Sequence, residues 1–395
     1  MRPIGPIYFD HQATTPIDER VVTAMMPFLR ENFGNPHSSD HILGWRSSQA
    51  VDEAAAKVAA LIGADADEII FTSGATESNN LALTGIARGA LSEKRKTLLV
   101  SAVEHKSILA CARALARRDG MTVHTISVDE RGELNLDHLE SLLDDDVLLV
   151  SVMAVNNEVG SLQPLQEASR LCKRHGSLLH SDFAQAPTAI DLKNLSGVVD
   201  ILSMSGHKLY GPKGIGVAYV RRDLQQFIEP LIYGGGQQRG IRSGTVPTAL
   251  CVGMAAAADI ISSPSHHAEL QRIAQLRNFF VAKVIAIAEG IAINGPDLER
   301  RHPGNANLRF PGFSAQDILA SLQPNLAAST GAACTSGIPE PSHVLRAIGL
   351  SAEQAEASIR FSIGRKTTES EIDTAANLIS ASLAKLSSTG EARTA

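Results

Sequence analysis

What this 395-residue sequence lacks narrows its class before any motif is read. It has no basic block and no acidic tail, and its formal net charge is −6 with 20% of residues charged. That balance offers little to a nucleic-acid backbone, so direct nucleic-acid binding is not expected. No apolar run approaches the roughly 18 residues of a membrane span, and no membrane association is expected. The opening MRPIGPIYFD runs straight into a strand-like segment, without the charged head and apolar core of a secretion signal. Only four cysteines occur, Cys111, Cys172, Cys251 and Cys334, far apart and without a C-x-x-C pair. No metal or redox dithiol site is therefore expected, and so few thiols fit a reducing compartment, so a cytoplasmic location is expected. There is no internal repeat.

What is present is the alternation of an α/β domain. Strand-length apolar runs at 68 to 72, 97 to 101, 123 to 128, 147 to 153, 178 to 182, 201 to 205 and 216 to 220 predict a mainly parallel seven-stranded sheet. Helical patterns at 78 to 88, 107 to 118 and 165 to 175 lie between them. The near-continuous hydrophobicity of the strands predicts helices on both faces. The polar patch SSPSHH at 262 to 267 marks a boundary, and a long helical pattern, 268 to 288, comes after it. Strands at 305 to 310, 326 to 330 and 357 to 363, with helices at 315 to 322 and 369 to 386, predict a smaller α+β unit. The expected division is a large domain over 21 to 262 and a small one over 263 to 395, joined by residues 1 to 20.

Four strand ends carry chemistry. Ser203-Met-Ser-Gly-His-Lys-Leu-Tyr-Gly-Pro-Lys-Gly-Ile-Gly216 ends a strand in a lysine hemmed in by small residues; burial would lower its pKa, and a neutral amine can form a Schiff base. Phe71-Thr-Ser-Gly-Ala-Thr76 turns a strand into a helix, where free N–H groups and the Thr76 hydroxyl suit a phosphate. Asp182 sits where ligands of parallel sheets bind and could serve as counter-ion to a ring nitrogen. His105, in Glu104-His105-Lys106, could stack on a planar ring and move protons. Taken singly, each has an ordinary structural explanation: a surface lysine, an N-cap, a capping aspartate, a structural histidine. Together they describe a pyridoxal phosphate site.

A fifth feature is Cys334, inside STGAACTSGIPEPS (329 to 342). That small-residue, Pro-punctuated segment forms neither a good helix nor a good strand. The other three cysteines fall in apolar or amphipathic patterns and read as core packing. GGGQQRG (234 to 240) lacks the strand spacing and lysine of a nucleotide loop, so no nucleotide site is expected.

The chain also resembles the fold-type I, class V pyridoxal phosphate enzymes, and within them the cysteine desulfurases of the NifS/IscS type. The likeness runs through YFDHQATTP (8 to 16), FGNPHS (33 to 38), FTSGATESNN (71 to 80), EHK (104 to 106), VNNEVG (155 to 160) and SGHKLYGPKG (205 to 214). It continues through GGGQQRGIRSGT (234 to 245), ACTSGIPEPSHVLRAIG (333 to 349) and SIRFSIGR (358 to 365). The resemblance implies that Lys208 holds the cofactor, Asp182 pairs with its ring nitrogen, and His105 stacks on it and shuttles protons. It implies phosphate contacts from Ala75, Thr76, Ser205 and His207, with Thr245 reaching in from a second subunit of a homodimer. Gln185 would bond the ring hydroxyl, Asn157 would lie near cofactor and substrate, and Arg360 would clamp the carboxylate of L-cysteine. Cys334, on a mobile loop over 325 to 343, would take the substrate's sulfur as a persulfide, release alanine and pass the sulfur to an acceptor protein.

Two departures stand out. Thr330-Gly-Ala-Ala-Cys replaces the family's common Ser-Gly-Ser-Ala-Cys, with a modest effect on loop conformation expected. The sequence also stops at Ala395 without the longer tail through which housekeeping members dock an iron–sulfur scaffold. A dedicated acceptor, for tRNA thiolation, nucleic-acid sulfur modification or a sulfur-containing metabolite, is thus the expectation beside iron–sulfur assembly. The alternatives are another class V enzyme, an aminotransferase or selenocysteine lyase in which Cys334 is dispensable, or a protein that keeps the fold as a binding partner or sulfur relay.

Overall fold

The computed structural model describes residues 5–331 and 341–388. A short strand β1 (Ile7–Tyr8) leads into helices α1 (Glu19–Arg30) and α2 (Ile42–Ile62). Asp18 caps α1 by accepting from Arg20 N at 3.0 Å, and Gly63, in the left-handed region, closes α2. Then strands and helices alternate: β2 (Ile69–Thr72), α3 (Ala75–Arg88), β3 (Thr97–Ser101), α4 (Lys106–Arg118), β4 (Thr122–Ile126), α5 (Leu136–Leu142), β5 (Val147–Ser151), α6 (Leu165–His175), β6 (Leu178–Asp182), β7 (Ile201–Ser205) and β8 (Gly216–Val220). These strands form one seven-stranded sheet in the order β2-β8-β7-β6-β5-β3-β4.

The sheet is parallel except at β8, which runs antiparallel to both neighbours. The reason is length: only residues 206 to 215 join β7 to β8, too few for the crossover that a parallel pair requires. This short return carries Lys208. Alternate residues of each strand serve opposite faces. Ile69 and Phe71, Leu202 and Met204 pack with α2, α6 and α7 (Thr248–Ile261) on one side. Ile70, Leu98, Val100 and Ala218 pack with α3 and α4 on the other. The expectation of helices on both faces fits the inner strands but not β4, where Thr122, His124 and Thr125 are exposed. It is an edge strand, and one flank meets solvent.

Beyond α7 the chain turns by 76° into α8 (Ser265–Ile285) across residues 262 to 264. No single helix among the described residues is long and apolar enough to cross a membrane. A second core then forms. Strands β9 (Ala292–Ile293), β10 (Asn305–Arg309) and β12 (Ser358–Ser362) make an antiparallel sheet with β10 central. Against it pack α8, α9 (Ala315–Ser321) and α12 (Glu369–Ser388), with Phe280, Phe310 and Phe361 edge to face. Between them α10 (His343–Ala347) and α11 (Ala352–Glu356) cap a small cluster around Val344 and Leu345.

The run expected as a strand over 326 to 330 is one only at β11 (Leu326–Ala327), paired in parallel with β1. Past it Ser329 leaves that pairing and bridges Arg360 on β12 instead. The N-terminal segment thus contributes Phe9 to the second core while its next residues reach the large sheet: Thr15 N donates to His207 O at 2.9 Å.

One loop is tied to the sheet's outer strand. Phe71 N donates to Gln238 Oε1 at 2.7 Å, and Gln238 Nε2 returns a bond to Phe71 O at 2.9 Å. Gln238 and its neighbour Arg239 both take left-handed φ, 49° and 59°, which costs a residue with a side chain.

Candidate active site

The carboxyl ends of β3, β5, β6 and β7 open on one edge of the large sheet, and the strand order reverses between β3 and β5. Such a reversal leaves a crevice in which ligands of open α/β sheets bind. A cavity of about 670 Å³ lies there, and the second core supplies its far wall.

Lys208 comes just after β7. Its Nζ donates to the carbonyls of Gln12 and, at 2.8 Å, Ala13. Burial lowers its pKa to about 8, the Arg360 charge adds to that effect, and Asp182 and Asp10 oppose it. About a tenth of the amine is therefore neutral at pH 7, against well under a hundredth for an ordinary lysine of pKa ~10.4.

Asp182, at the end of β6, is buried and fixed through both oxygens: Ala184 N donates to Oδ1 at 2.8 Å and Asn79 Nδ2 to Oδ2 at 2.7 Å. Asn79, on α3, also donates to Ser107 Oγ at 2.9 Å, and Ser107 Oγ lies 2.8 Å from His105 Nδ1. A chain of side chains thus ties Asp182 to His105. Because Ser107 N also donates to His105 Nδ1, at 3.1 Å, that nitrogen is an acceptor. The neutral ring therefore carries its hydrogen on Nε2. It can stack or donate from Nε2, and Nε2 accepts a proton only after giving that hydrogen up, while the Nδ1 lone pair is occupied by Ser107. Although the ring faces the open cavity, the walls around it hold its basicity below the ordinary range, with Asp182 opposing and Lys208 adding to the effect.

The turn Ser73-Gly74-Ala75-Thr76 meets the start of α3, a 14-residue helix. Gly74 has φ 153°, and a Cβ on Gly216 of β8 would come within 2.5 Å of the Gly74 Cα. Two glycines in contact let the turn press against the sheet edge beside Ser205 and His207. His207 Nδ1 pairs with Thr14 Oγ1 at 3.1 Å, and burial together with the Lys208 and Lys213 charges lowers its pKa to about 4, so it is neutral at pH 7. Behind the turn, Arg242 Nε donates to Glu77 Oε1 at 2.8 Å.

On the far wall, Arg360 of β12 is 4% exposed. Its Nη1 donates to Asn157 O at 2.8 Å and its Nη2 to Asp10 Oδ1 at 2.6 Å and Ser329 Oγ at 2.9 Å. Gln185 Nε2 donates to Gln12 O at 2.9 Å.

Lys208, His105, Ala75, Thr76, Asn157, Asp182, Gln185, Ser205, His207 and Arg360 all line this one cavity. Thr245 is exposed and does not line it. Cys334 lies outside the described residues. Sequence reasoning assigned nothing to Asp10, Gln12, Glu77 or Glu104. Glu104 is fully buried beside His105: Met153 N donates to Oε1, while Oε2 has no partner among the described residues. Burial, then the Asp182 charge, raises its pKa well above the ordinary carboxyl value. The motif Glu104-His105-Lys106 contained it, but nothing local shows that the side chain turns inward.

The class-V aminotransferase model matches residues 7–374. The chain belongs to that family. It is 46% identical over 381 residues, 96% of this chain and 92% of the relative, to the cysteine desulfurase IscS of Rickettsia rickettsii (strain Iowa). Its fold matches a NifS-like protein at TM-score 0.89 and 35% identity, covering 96% of this chain and all of that one. It also matches SspA in complex with cysteine at TM-score 0.79 and 33% identity, over 92% and 100% of the two chains. The family is one of pyridoxal-phosphate enzymes, and the fold is the α/β fold with a mainly parallel central sheet that these neighbours share.

The donor set fits that cofactor. A lysine partly neutral at pH 7, a carboxylate fixed at the sheet edge and a helix-start turn for a phosphate border a space in the usual ligand range of about 300–1,000 Å³.

Proposed function

We propose that the chain is a cysteine desulfurase that takes sulfur from L-cysteine, releases L-alanine and carries the sulfur as a persulfide on Cys334. The convergence of Lys208, Asp182, His105 and Arg360 on one cavity, in a chain 46% identical to a cysteine desulfurase, carries this reading. Pyridoxal phosphate, when bound, would supply an electron sink for the substrate's α-carbon.

The chain's own groups do the rest. Lys208 would bind the cofactor through its amine and, once displaced by the substrate amine, would be free to accept the α-proton at Nζ. Asp182, held by Asn79 and Ala184, would keep a proton on the ring nitrogen. His105 would stack above the ring and donate from Nε2. The N–H groups of Ala75 and Thr76 would face the phosphate, joined by the hydroxyls of Thr76 and Ser205. His207, with Thr14 beside Nδ1, would complete the phosphate pocket through Nε2. Gln185 would meet the ring hydroxyl, and Arg360 with Asn157 the substrate carboxylate. The Cys334 thiolate would attack the substrate sulfur: an S–S bond forms, the C–S bond breaks, and its electron pair stays with the carbon skeleton, which is protonated to alanine.

We read the enzyme as a cytoplasmic homodimer in which Thr245 completes the partner's phosphate site. Its own exposure supports this, as do the exposed Phe33, Trp45 and Tyr233. The division at residue 262 is supported by the separate cores on either side. The sulfur acceptor is proposed to be a protein, in an iron–sulfur, tRNA-thiolation or nucleic-acid sulfur-modification pathway.

The test is to incubate the protein with L-cysteine and pyridoxal phosphate, measuring alanine and trapping protein persulfide. Both are expected, and both should be lost in Cys334→Ala. Full turnover in Cys334→Ala without a trapped persulfide would point to another class V reaction.

A further inference from the structure

Asp10 lines the cavity, and its carboxylate is engaged with the same guanidinium that the proposed function gives to the substrate's carboxylate. Three of the surroundings of Arg360 are fixed by the fold: Asn157 O takes Nη1, and Ser329 Oγ and Asp10 Oδ1 take Nη2. Ser329 Oγ in turn donates to Asp10 Oδ1 at 3.1 Å, and its backbone pairs with Arg360 through Arg360 N to Ser329 O at 2.7 Å. Nε has no partner among the described residues. The planar fork is thus held in place on one side with donor capacity left over.

We propose, resting on the assignment of Arg360 to the substrate carboxylate, that Asp10 is an internal competitor for that guanidinium. It holds the buried fork in position and, by its own charge, opposes the arriving carboxylate and so limits how tightly amino-acid carboxylates bind. A buried cation with no counter-charge is costly, and Asp10 supplies one before substrate arrives. A second carboxylate on the same guanidinium then adds to Asp10 rather than replacing bulk water. Two negative charges a few ångströms apart in a partly dry site repel, so part of the attraction to Arg360 is cancelled. Ser329, bonded to both members of the pair, keeps Asp10 from swinging away.

The effect falls on substrate and product alike. Alanine carries the same ammonium and carboxylate as cysteine, so a site that bound that pair without opposition would hold product as firmly as substrate. Uniform binding of this kind lowers KM without raising kcat. Asp10 shifts the balance toward release, and Asp10 is therefore a positioning and affinity-setting residue rather than one that touches the reacting sulfur.

The experiment compares the wild-type holoenzyme with Asp10→Asn in steady-state turnover of L-cysteine and of L-cysteine methyl ester, and in calorimetric titration with L-alanine. Asparagine keeps an oxygen for Arg360 and removes the charge. For Asp10→Asn the KM for L-cysteine and the Kd for L-alanine are each expected to fall roughly tenfold, by the arithmetic of one lost like-charge contact, while the KM for the ester stays put. Asp10→Glu retains the charge and should restore wild-type affinity. Asp10→Ser, also neutral, gives the same reading if asparagine proves too destabilising.

A rise or no change in KM and in the alanine Kd would overturn the proposal, as would an equal change with the ester, because a merely structural role would move both substrates together. Failure of the wild type to make alanine from cysteine would instead sink the desulfurase reading, and the alanine titration would still decide the role of Asp10.

Discussion

His105, Asp182 and Lys208 each stand within four residues of the end of a strand in one sheet, whereas Asp10, Asn157, Ser329 and Arg360 come together from distant parts of the chain. The first group is fixed by local geometry: a strand ends, a turn begins, and the side chain faces the sheet's carboxyl edge. Asn79 and Ser107 then tie Asp182 to His105 through side-chain hydrogen bonds. The second group exists only once both cores have formed, and it is held by an ion pair between residues 350 positions apart. The floor of the cavity is therefore placed mainly by the large sheet, with Lys208 Nζ also held by the Gln12 and Ala13 carbonyls, while the wall reports whether the two units are correctly assembled.

Five measurements put this contrast between floor and wall at risk, in order of expected effect. Lys208→Ala removes the amine at the centre of the floor; desulfuration should fall by roughly four orders of magnitude, and the visible absorbance of bound cofactor should go with it. Asp182→Asn keeps the shape and its bond from Ala184 but loses the charge, and kcat should fall roughly 10²- to 10³-fold with the fold intact by circular dichroism. Arg360→Lys acts on the wall: without the planar fork the KM for cysteine should rise about tenfold, with a smaller change in kcat. A comparable loss of kcat in that variant would show that the wall also shapes the floor.

The fourth is a pH profile. With Lys208 near 8, cofactor capture by the cofactor-free protein should rise with pH and level off above about 8. Because the Arg360 charge lowers that value, Arg360→Gln should move the midpoint upward. The same shift sets the sign for stability: between about 8 and the unfolded value of ~10.4 the unfolded chain binds the extra proton, so Lys208 makes the protein more stable as pH rises through that window.

The smallest effect concerns Glu104. Its pKa is raised on folding, so the folded chain holds a proton that the unfolded chain has lost above about 4.3, and stability contributed by this site declines as pH climbs past that point. Glu104→Gln keeps the acceptor for Met153 N and removes the titration. Its melting temperature should therefore exceed the wild type's by a few degrees at pH 8 and by much less at pH 4.

The strands of the large sheet are legible in the sequence because they are short, apolar runs bounded by turns; all seven fall within two residues of their expected limits. Helix α6 spans the expected residues, but α3 begins earlier than the pattern suggests, at Ala75 rather than residue 78, because its polar first turn faces the cavity and carries no apolar period. Helices α1 and α2 went unread: the alanine-rich stretch of α2 has no sharp apolar face. For the site, Asp182 and Lys208 betray themselves by their places at or just past a strand's end. Asp10 and Glu104 do not, since their importance lies in a partner 350 residues away and in an inward rotamer beside His105. Gln12 is subtler still, because its backbone carbonyl, which any residue would provide, receives both Lys208 and Gln185.

The Gln238 amide has a consequence at the rim of the molecule. β2 ends the large sheet, and the N–H and C=O of Phe71 point outward from it, where a strand from another chain could add itself. By presenting an amide oxygen and an amide N–H to that one residue, Gln238 acts as a single counterfeit peptide and takes the rung. Two left-handed residues in succession are the conformational cost of reaching it. At the flank of the sheet nearest the turn of Ser73 to Thr76, one rung is thereby taken, which works against addition of a strand at that edge.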